Sequence, residues 1–180
     1  WLSVLHKYRL GGILADDMGL GKTLETISFL SSIGEKRPNL IIAPKSVIYN
    51  WQSEFLKWSP ESKVYVIDGS KDERNKIIGS IKNDEKSFYI TSYDSLRNDF
   101  MNYKNKHFEV VVVDEAQYIK NGMALKSQAV RELVAESRFA LTGTPIENSM
   151  ADLWAIFDFL MPGYLDSFNV FKQRYILAGD

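Results

Sequence analysis

Residues 110–113 are four consecutive valines. Valine is stiff at its first side-chain torsion and suits the pleated backbone of a strand far better than a loop. A strand with apolar side chains on both faces must be covered from both sides, as in a sheet enclosed by helices. Other short apolar runs follow the same logic: Gly12–Ala15, Leu40–Ala43, Lys63–Ile67, Phe88–Thr91 and Arg138–Leu141. Between them apolar residues recur at helical spacing, as in Leu20, Leu24, Ile27 and Leu30, or Leu125, Ala129 and Leu133, or Leu153, Phe157 and Leu160. Gly34 and Pro38 end one helix, and Pro44 and Ser46 close a strand and open the helix Val47–Trp58. Asp68-Gly69-Ser70 and Asn121-Gly122 are turn signals. This alternation predicts an α/β fold with right-handed crossovers, a mainly parallel central sheet and ligands beyond the carboxyl ends of its strands.

Composition narrows the classes of function. Of 180 residues, 45% are hydrophobic, enough for a packed core of ordinary size. No apolar run approaches the roughly 20 residues that would span a bilayer, and nothing at the start resembles a signal peptide, so a cytoplasmic protein is expected. The absence of cysteine excludes a disulfide framework, a thiolate zinc site and a cysteine nucleophile. The two histidines, His6 and His107, are too few for a histidine-rich metal site, and neither has an acidic pattern beside it in sequence. A net charge of −1, without a charged block, gives no overall basic field to advertise nucleic acid.

Two segments carry chemistry. The first strand runs into Asp16-Asp17-Met18-Gly19-Leu20-Gly21-Lys22-Thr23 and then into a helix. Gly19 and Gly21 let backbone amides approach a phosphate, and the helix start adds its positive dipole end. Lys22 is placed to reach the outer phosphates and Thr23 to ligate Mg²⁺. The general phosphate-loop pattern asks for glycine where Asp16 stands, and a plain helix-entry turn is the alternative. The second segment is Asp114-Glu115-Ala116-Gln117, directly after the valines. Asp114 can hold a metal and Glu115 can activate water, or both can merely cap the next helix. The conjunction favours nucleotide hydrolysis. A spacing of 114 − 22 = 92 residues suits two neighbouring strands of one sheet.

Taken together, these segments resemble the Snf2 family of superfamily 2 helicase-like ATPases. Gly11 to Thr23 resembles that family's motif I, including Asp16. Leu40 to Val47 with Asn50-Trp51 and Glu54-Phe55 resembles motif Ia. Thr91-Ser92-Tyr93 matches the next DNA-side segment, and Asp114 to Gln117 is similar to motif II. Leu141-Thr142-Gly143-Thr144-Pro145-Ile146-Glu147-Asn148 resembles motif III, and Asp152-Leu153-Trp154 continues the match.

The resemblance implies a RecA-like three-layer α/β/α P-loop domain over 1–180, the first of two lobes. The second lobe with its arginine fingers is expected after Asp180, and an adenine-recognition segment before Trp1. It further implies that Asp17, Met18, Gly19, Leu20, Gly21, Lys22 and Thr23 bind ATP. Thr23 and Asp114 hold Mg²⁺, Lys22, Asp114, Glu115 and Gln117 serve hydrolysis, and Thr142, Gly143 and Thr144 couple it to lobe closure. Lys45, Ser46, Asn50, Ser92, Tyr93, Lys120 and Asn121 are then the candidates for duplex DNA contact, mostly to phosphates. Trp51 joins them, although packing in the core is its simpler role. Tyr8, Tyr49, Phe157, Phe159 and Phe168 read as core, and Arg174 as a surface arginine rather than a finger.

Motif II usually ends in histidine in this family, and Gln117 takes that place here. With Ile146-Glu147-Asn148, it gives the chain a bacterial flavour and an expected nucleoid association. The function so implied is DNA-stimulated ATP hydrolysis coupled to translocation on duplex DNA and to remodelling of protein–DNA complexes. A strand-separating helicase lobe and a nucleotide-gated nucleic-acid-binding module without catalysis are the alternatives.

Overall fold

The computed structural model describes residues 1–17, 19–122, 124–143 and 150–177. Six strands, β1 (Gly12–Leu14), β2 (Asn39–Ala43), β3 (Val64–Ile67), β4 (Phe88–Ser92), β5 (His107–Asp114) and β6 (Val134–Leu141), form one sheet in the order β1-β6-β5-β2-β4-β3. Every pairing is parallel, with Val111 to Val113 flanked by Leu40 to Ile42 on one side and Arg138 to Ala140 on the other. The expected parallel sheet is therefore present, but β5 and β6 begin earlier than their apolar runs. Their first residues include His107, Glu109, Glu136 and Ser137, polar residues that hydrophobicity alone does not assign to a strand.

Pleating sends alternate side chains of each strand to opposite faces. One face takes Ile41, Ala43, Val110, Val112 and Leu141, covered by helices α1 (Leu2–Lys7), α2 (Lys22–Ser32) and α3 (Ile48–Trp58). The other takes Leu40, Ile42, Val111, Val113 and Ala140, covered by α4 (Lys71–Gly79), α5 (Tyr93–Asp99), α6 (Leu125–Arg131) and α7 (Met150–Leu160). All four valines are fully buried, as their sequence requires. A short α8 (Phe168–Phe171) ends in a π-helical turn, where exposed Arg174 pairs with Asp166 at 2.8 Å.

Helix α4 lacks a clear apolar stripe and is set by its ends instead. The Ser70 hydroxyl accepts from the Glu73 amide at 3.3 Å, and the Glu73 carboxylate accepts from the Ser70 amide at 2.7 Å. This reciprocal capping box is legible in sequence as Ser-x-x-Glu. Of the aromatics expected in the core, Phe159 is there, whereas Tyr8 and Tyr49 are 66% and 56% exposed and Phe168 sits at the surface. The tyrosine hydroxyl tolerates solvent, so its ring alone does not fix its side of the helix.

A polar anchor lies beneath the second face. Arg74 of α4 donates through Nε and an NH2 nitrogen to both carboxylate oxygens of Asp99, at 2.5 and 3.0 Å, and the Asp99 side chain is 1% exposed. Asp99→Ala leaves the guanidinium without its buried partner and is expected to cost about 3–5 kcal/mol in urea unfolding.

Candidate nucleotide and nucleic-acid site

The carboxyl ends of β1, β6 and β5 lie side by side, and each leads into a segment singled out above. After β1 the loop passes through Gly19 and Gly21 with φ of 86° and 94°. Both lie in the left-handed region that only glycine enters freely, and a Cβ at either position would point into open space. Gly21 is the residue before α2, so the first free amides of that helix open onto the loop. Lys22 folds back across it, its ammonium donating to the carbonyls of Asp16 and Asp17 at 2.5 and 2.9 Å. Thr23 follows in the first turn of α2. Met18 and Thr144 lie outside the described residues.

The strand with Asp114 at its tip is not the neighbour of β1. Strand β6 lies between them, so the expectation of adjacent strands for the two motifs is corrected. The inserted strand follows Asp114 in the chain, so the spacing between the two motifs carries no trace of it. That strand carries Thr142 and Gly143 directly after its end, which places them between the phosphate loop and the acidic pair.

Asp114 is held on two sides. Its Oδ2 accepts from Trp51 Nε1 at 2.8 Å and its Oδ1 from the Glu115 amide at 2.9 Å. Burial raises its carboxyl above the ordinary carboxylate range, and the Trp51 hydrogen bond and the Lys22 charge oppose that rise. A half-buried carboxylate with oriented oxygens, facing a phosphate loop with a threonine at its helix start, is a donor set that fits Mg²⁺. Glu115 has φ of 55°, a conformation costly for a residue with a side chain and typical of functional positions. Gln117 Nε2 donates to Glu115 Oε2 at 2.7 Å, and Thr142 Oγ1 donates to Gln117 Oε1 at 3.4 Å. A polar chain thus runs from the end of β5 to the end of β6.

The residues assigned to DNA divide. Lys45, Ser46 and Asn50 are exposed in the turn after β2 and the start of α3, with Lys45 and Tyr49 both held by Asp68. Lys45, Ser46 and Ser92 line one groove of about 300 Å³ at this sheet edge. Asn121 is exposed and Lys120 half-buried in the turn after motif II. Tyr93 lines the same groove, although little of its side chain is exposed. It is 2% exposed, its hydroxyl donates to the Asp114 carbonyl at 2.6 Å, and its ring stacks on Tyr118 at 5.2 Å. Ser92 is buried as well, its hydroxyl capping α5 through the Ser95 amide. Trp51 is 1% exposed and belongs to the core, where its ring nitrogen reaches the acidic strand end. That contact crosses 63 residues of sequence, and only its identity as tryptophan, the one large apolar side chain with a donor at its edge, hinted at it.

The SNF2-related domain family matches residues 1–178. The chain belongs to that family. As an SNF2-related domain it is 41% identical over 180 residues to the ISWI chromatin-remodeling complex ATPase ISW2 of Saccharomyces cerevisiae, covering 97% of this chain and 16% of that protein. It is 40% identical over 179 residues to the ATP-dependent helicase MG018 of Mycoplasma genitalium, covering 97% of this chain and 17% of that protein. Identity at one level in both does not set the domain apart as bacterial. The Sulfolobus solfataricus SWI2/SNF2 ATPase core in complex with dsDNA superposes with a TM-score of 0.88 at 41% identity, covering all of this chain and 38% of that one. The SNF2-related domain thus spans about a sixth of these two relatives and under half of the solved core. No helix among its described residues is long and apolar enough to cross a membrane.

The geometry makes a direct prediction for Trp51. Trp51→Phe keeps a ring in the core but removes the Nε1 donor, so the Asp114 carboxyl is expected to titrate still higher. Carboxyl-carbon NMR of the wild type and the variant measures that shift, and an unmoved or lowered titration contradicts the role.

Proposed function

We propose that the chain is the first of two RecA-like lobes of an Snf2-type ATPase that couples ATP hydrolysis to movement along duplex DNA and to remodelling of protein–DNA complexes. The observation that carries this reading is the convergence of the Gly19–Thr23 loop, the Asp114–Glu115 strand end and the Gln117–Thr142 pair at one edge of the sheet. The likeness to the solved SWI2/SNF2 ATPase core in complex with dsDNA supports the DNA side of the reading.

Each residue then has a task set by its position. The loop amides and the start of α2 receive the phosphate oxygens, and Lys22 exchanges its carbonyl partners Asp16 and Asp17 for the outer phosphates. Thr23 and Asp114 hold Mg²⁺, which when bound screens the phosphate charge. Trp51 and the Glu115 amide fix the Asp114 oxygens, so that little reorganisation is left for the moment of reaction. Glu115 orients the attacking water and accepts its proton. Gln117 senses the state of Glu115 and passes it to Thr142, whose segment leads toward α7.

On the DNA side, Lys45, Ser46, Asn50, Lys120 and Asn121, with backbone amides near Ser92, contact phosphates. Such contacts track a strand without reading its sequence. They are local, which is compatible with a net charge of −1 for the chain as a whole.

Three outcomes are expected. The 180-residue chain turns over ATP poorly even with duplex DNA, because an absent arginine finger costs roughly 10³–10⁵ in rate. Robust DNA-stimulated turnover by this chain alone contradicts the two-lobe assignment. In a longer chain carrying the second lobe, Lys22→Ala abolishes nucleotide binding, whereas Glu115→Gln preserves binding and stops turnover; unchanged ATPase in both contradicts the assigned roles. In the same chain Gln117→Ala keeps ATP binding but uncouples DNA stimulation and triplex displacement. Strand separation in a displacement assay favours the helicase alternative instead.

A further inference from the structure

The opposite edge of the sheet, where the strands begin, holds a second constellation. His6 of α1, Glu35 in the turn after α2 and Glu109 near the start of β5 each offer one ligand atom, and these atoms all lie within 4.8 Å of one another. His6 Nε2 is 3.4 Å from Glu109 Oε1 and 3.9 Å from Glu35 Oε2. A tetrahedral ion with ligands at about 2.0–2.1 Å separates neighbouring donor atoms by roughly 3.4 Å. The site opens into a cleft of about 820 Å³. It lies five residues along β5 from Asp114, about 16 Å at the rise of a strand, and is separate from the nucleotide side.

Two features of these side chains favour a ligand. The Glu109 side chain is only 6% exposed, and among the described residues it accepts no side-chain hydrogen bond. Its charged neighbours are His6 at 3.4 Å and Arg37 at 3.7 Å. Arg37 is committed elsewhere, donating to Glu136 at 2.6 Å, and Glu136 also faces Arg9 and His107. Separately, His6 Nδ1 lies 2.9 Å from the hydroxyl of buried Ser137, and the His6 side chain is itself 9% exposed. Ser137 thereby fixes the ring and leaves Nε2 as the nitrogen facing the two carboxylates, the outer-shell arrangement of a metal-binding histidine.

We propose that His6, Glu35 and Glu109 bind one divalent cation of the zinc class, with solvent in the fourth position. One imidazole with two carboxylates suits Zn²⁺ better than Mg²⁺, which favours oxygen donors in an octahedron. A cation here ties the first helix and the turn after α2 to the central strand. It thus fixes the end of the sheet remote from the nucleotide.

The test is titration of the purified chain with Zn²⁺, read by competition with a chromophoric chelator, and with Co²⁺, read by its visible spectrum. The expected result is one equivalent bound, an intense tetrahedral Co²⁺ spectrum and a raised thermal midpoint with Zn²⁺. Glu109→Gln and His6→Phe are expected to weaken binding more than about tenfold, and Ser137→Ala by about 10–100-fold through loss of ring orientation. Glu35→Gln provides the safeguard, since a side chain 49% exposed can be changed without unfolding the core. Asp114→Asn is expected to leave Zn²⁺ binding unchanged. Absence of saturable binding overturns the proposal, as does binding unaltered by the Glu35, Glu109 and His6 substitutions or lost on Asp114→Asn.

Discussion

The candidate site depends on how a fully buried strand delivers a carboxylate to its own end. Strand β5 is sealed on both faces by helices and on both edges by β2 and β6, so Asp114 emerges from a fully enclosed strand. An isolated carboxylate there is costly, and burial does raise its pKa. The fold offsets this with one indole N–H, one backbone amide and the Lys22 charge, while the Tyr93 hydroxyl secures the carbonyl of the same residue. Trp51 comes from one face of the sheet and Tyr93 from the other. Both core layers therefore converge on one residue.

The same confinement explains what was legible in the sequence. Four valines leave no alternative to a doubly covered strand, and the parallel sheet follows from several such runs. Glycine at 19 and 21 is equally informative, since the loop needs a backbone that other residues resist. Strand starts and strand order are less legible. His107, Glu136 and Ser137 are polar, yet they extend β5 and β6 because they find partners among themselves and with His6 and Arg37. Those partners lie far apart in sequence, His6 and Ser137 by 131 positions, so no local pattern announces them. Trp51 and Tyr93 illustrate a related difficulty. Both occupy segments that resemble DNA-side motifs, but each carries a large apolar ring that gains more from burial than from solvent. Their polar edges then serve Asp114 from inside.

Insertion of β6 between β1 and β5 gives the three motifs a physical order that their sequence order conceals. The segment after β6 stands between the loop after β1 and the pair after β5. Gln117 supplies the link on the β5 side. Its amide has a donor and an acceptor that are separate atoms, the nitrogen turned to Glu115 and the oxygen to Thr142. A histidine in this place could make both contacts only in a suitable tautomer, and protonation would turn both ring nitrogens into donors. Glutamine has no such titration. Gln117 therefore keeps one donor and one acceptor across the physiological pH range. The Glu115 contact of the amide is 2.7 Å, whereas its Thr142 contact at 3.4 Å is near the limit of a hydrogen bond. The polar chain between the ends of β5 and β6 is thus tight at Glu115 and weak at Thr142, because the glutamine amide reaches the nearer carboxylate fully and the hydroxyl only at its limit.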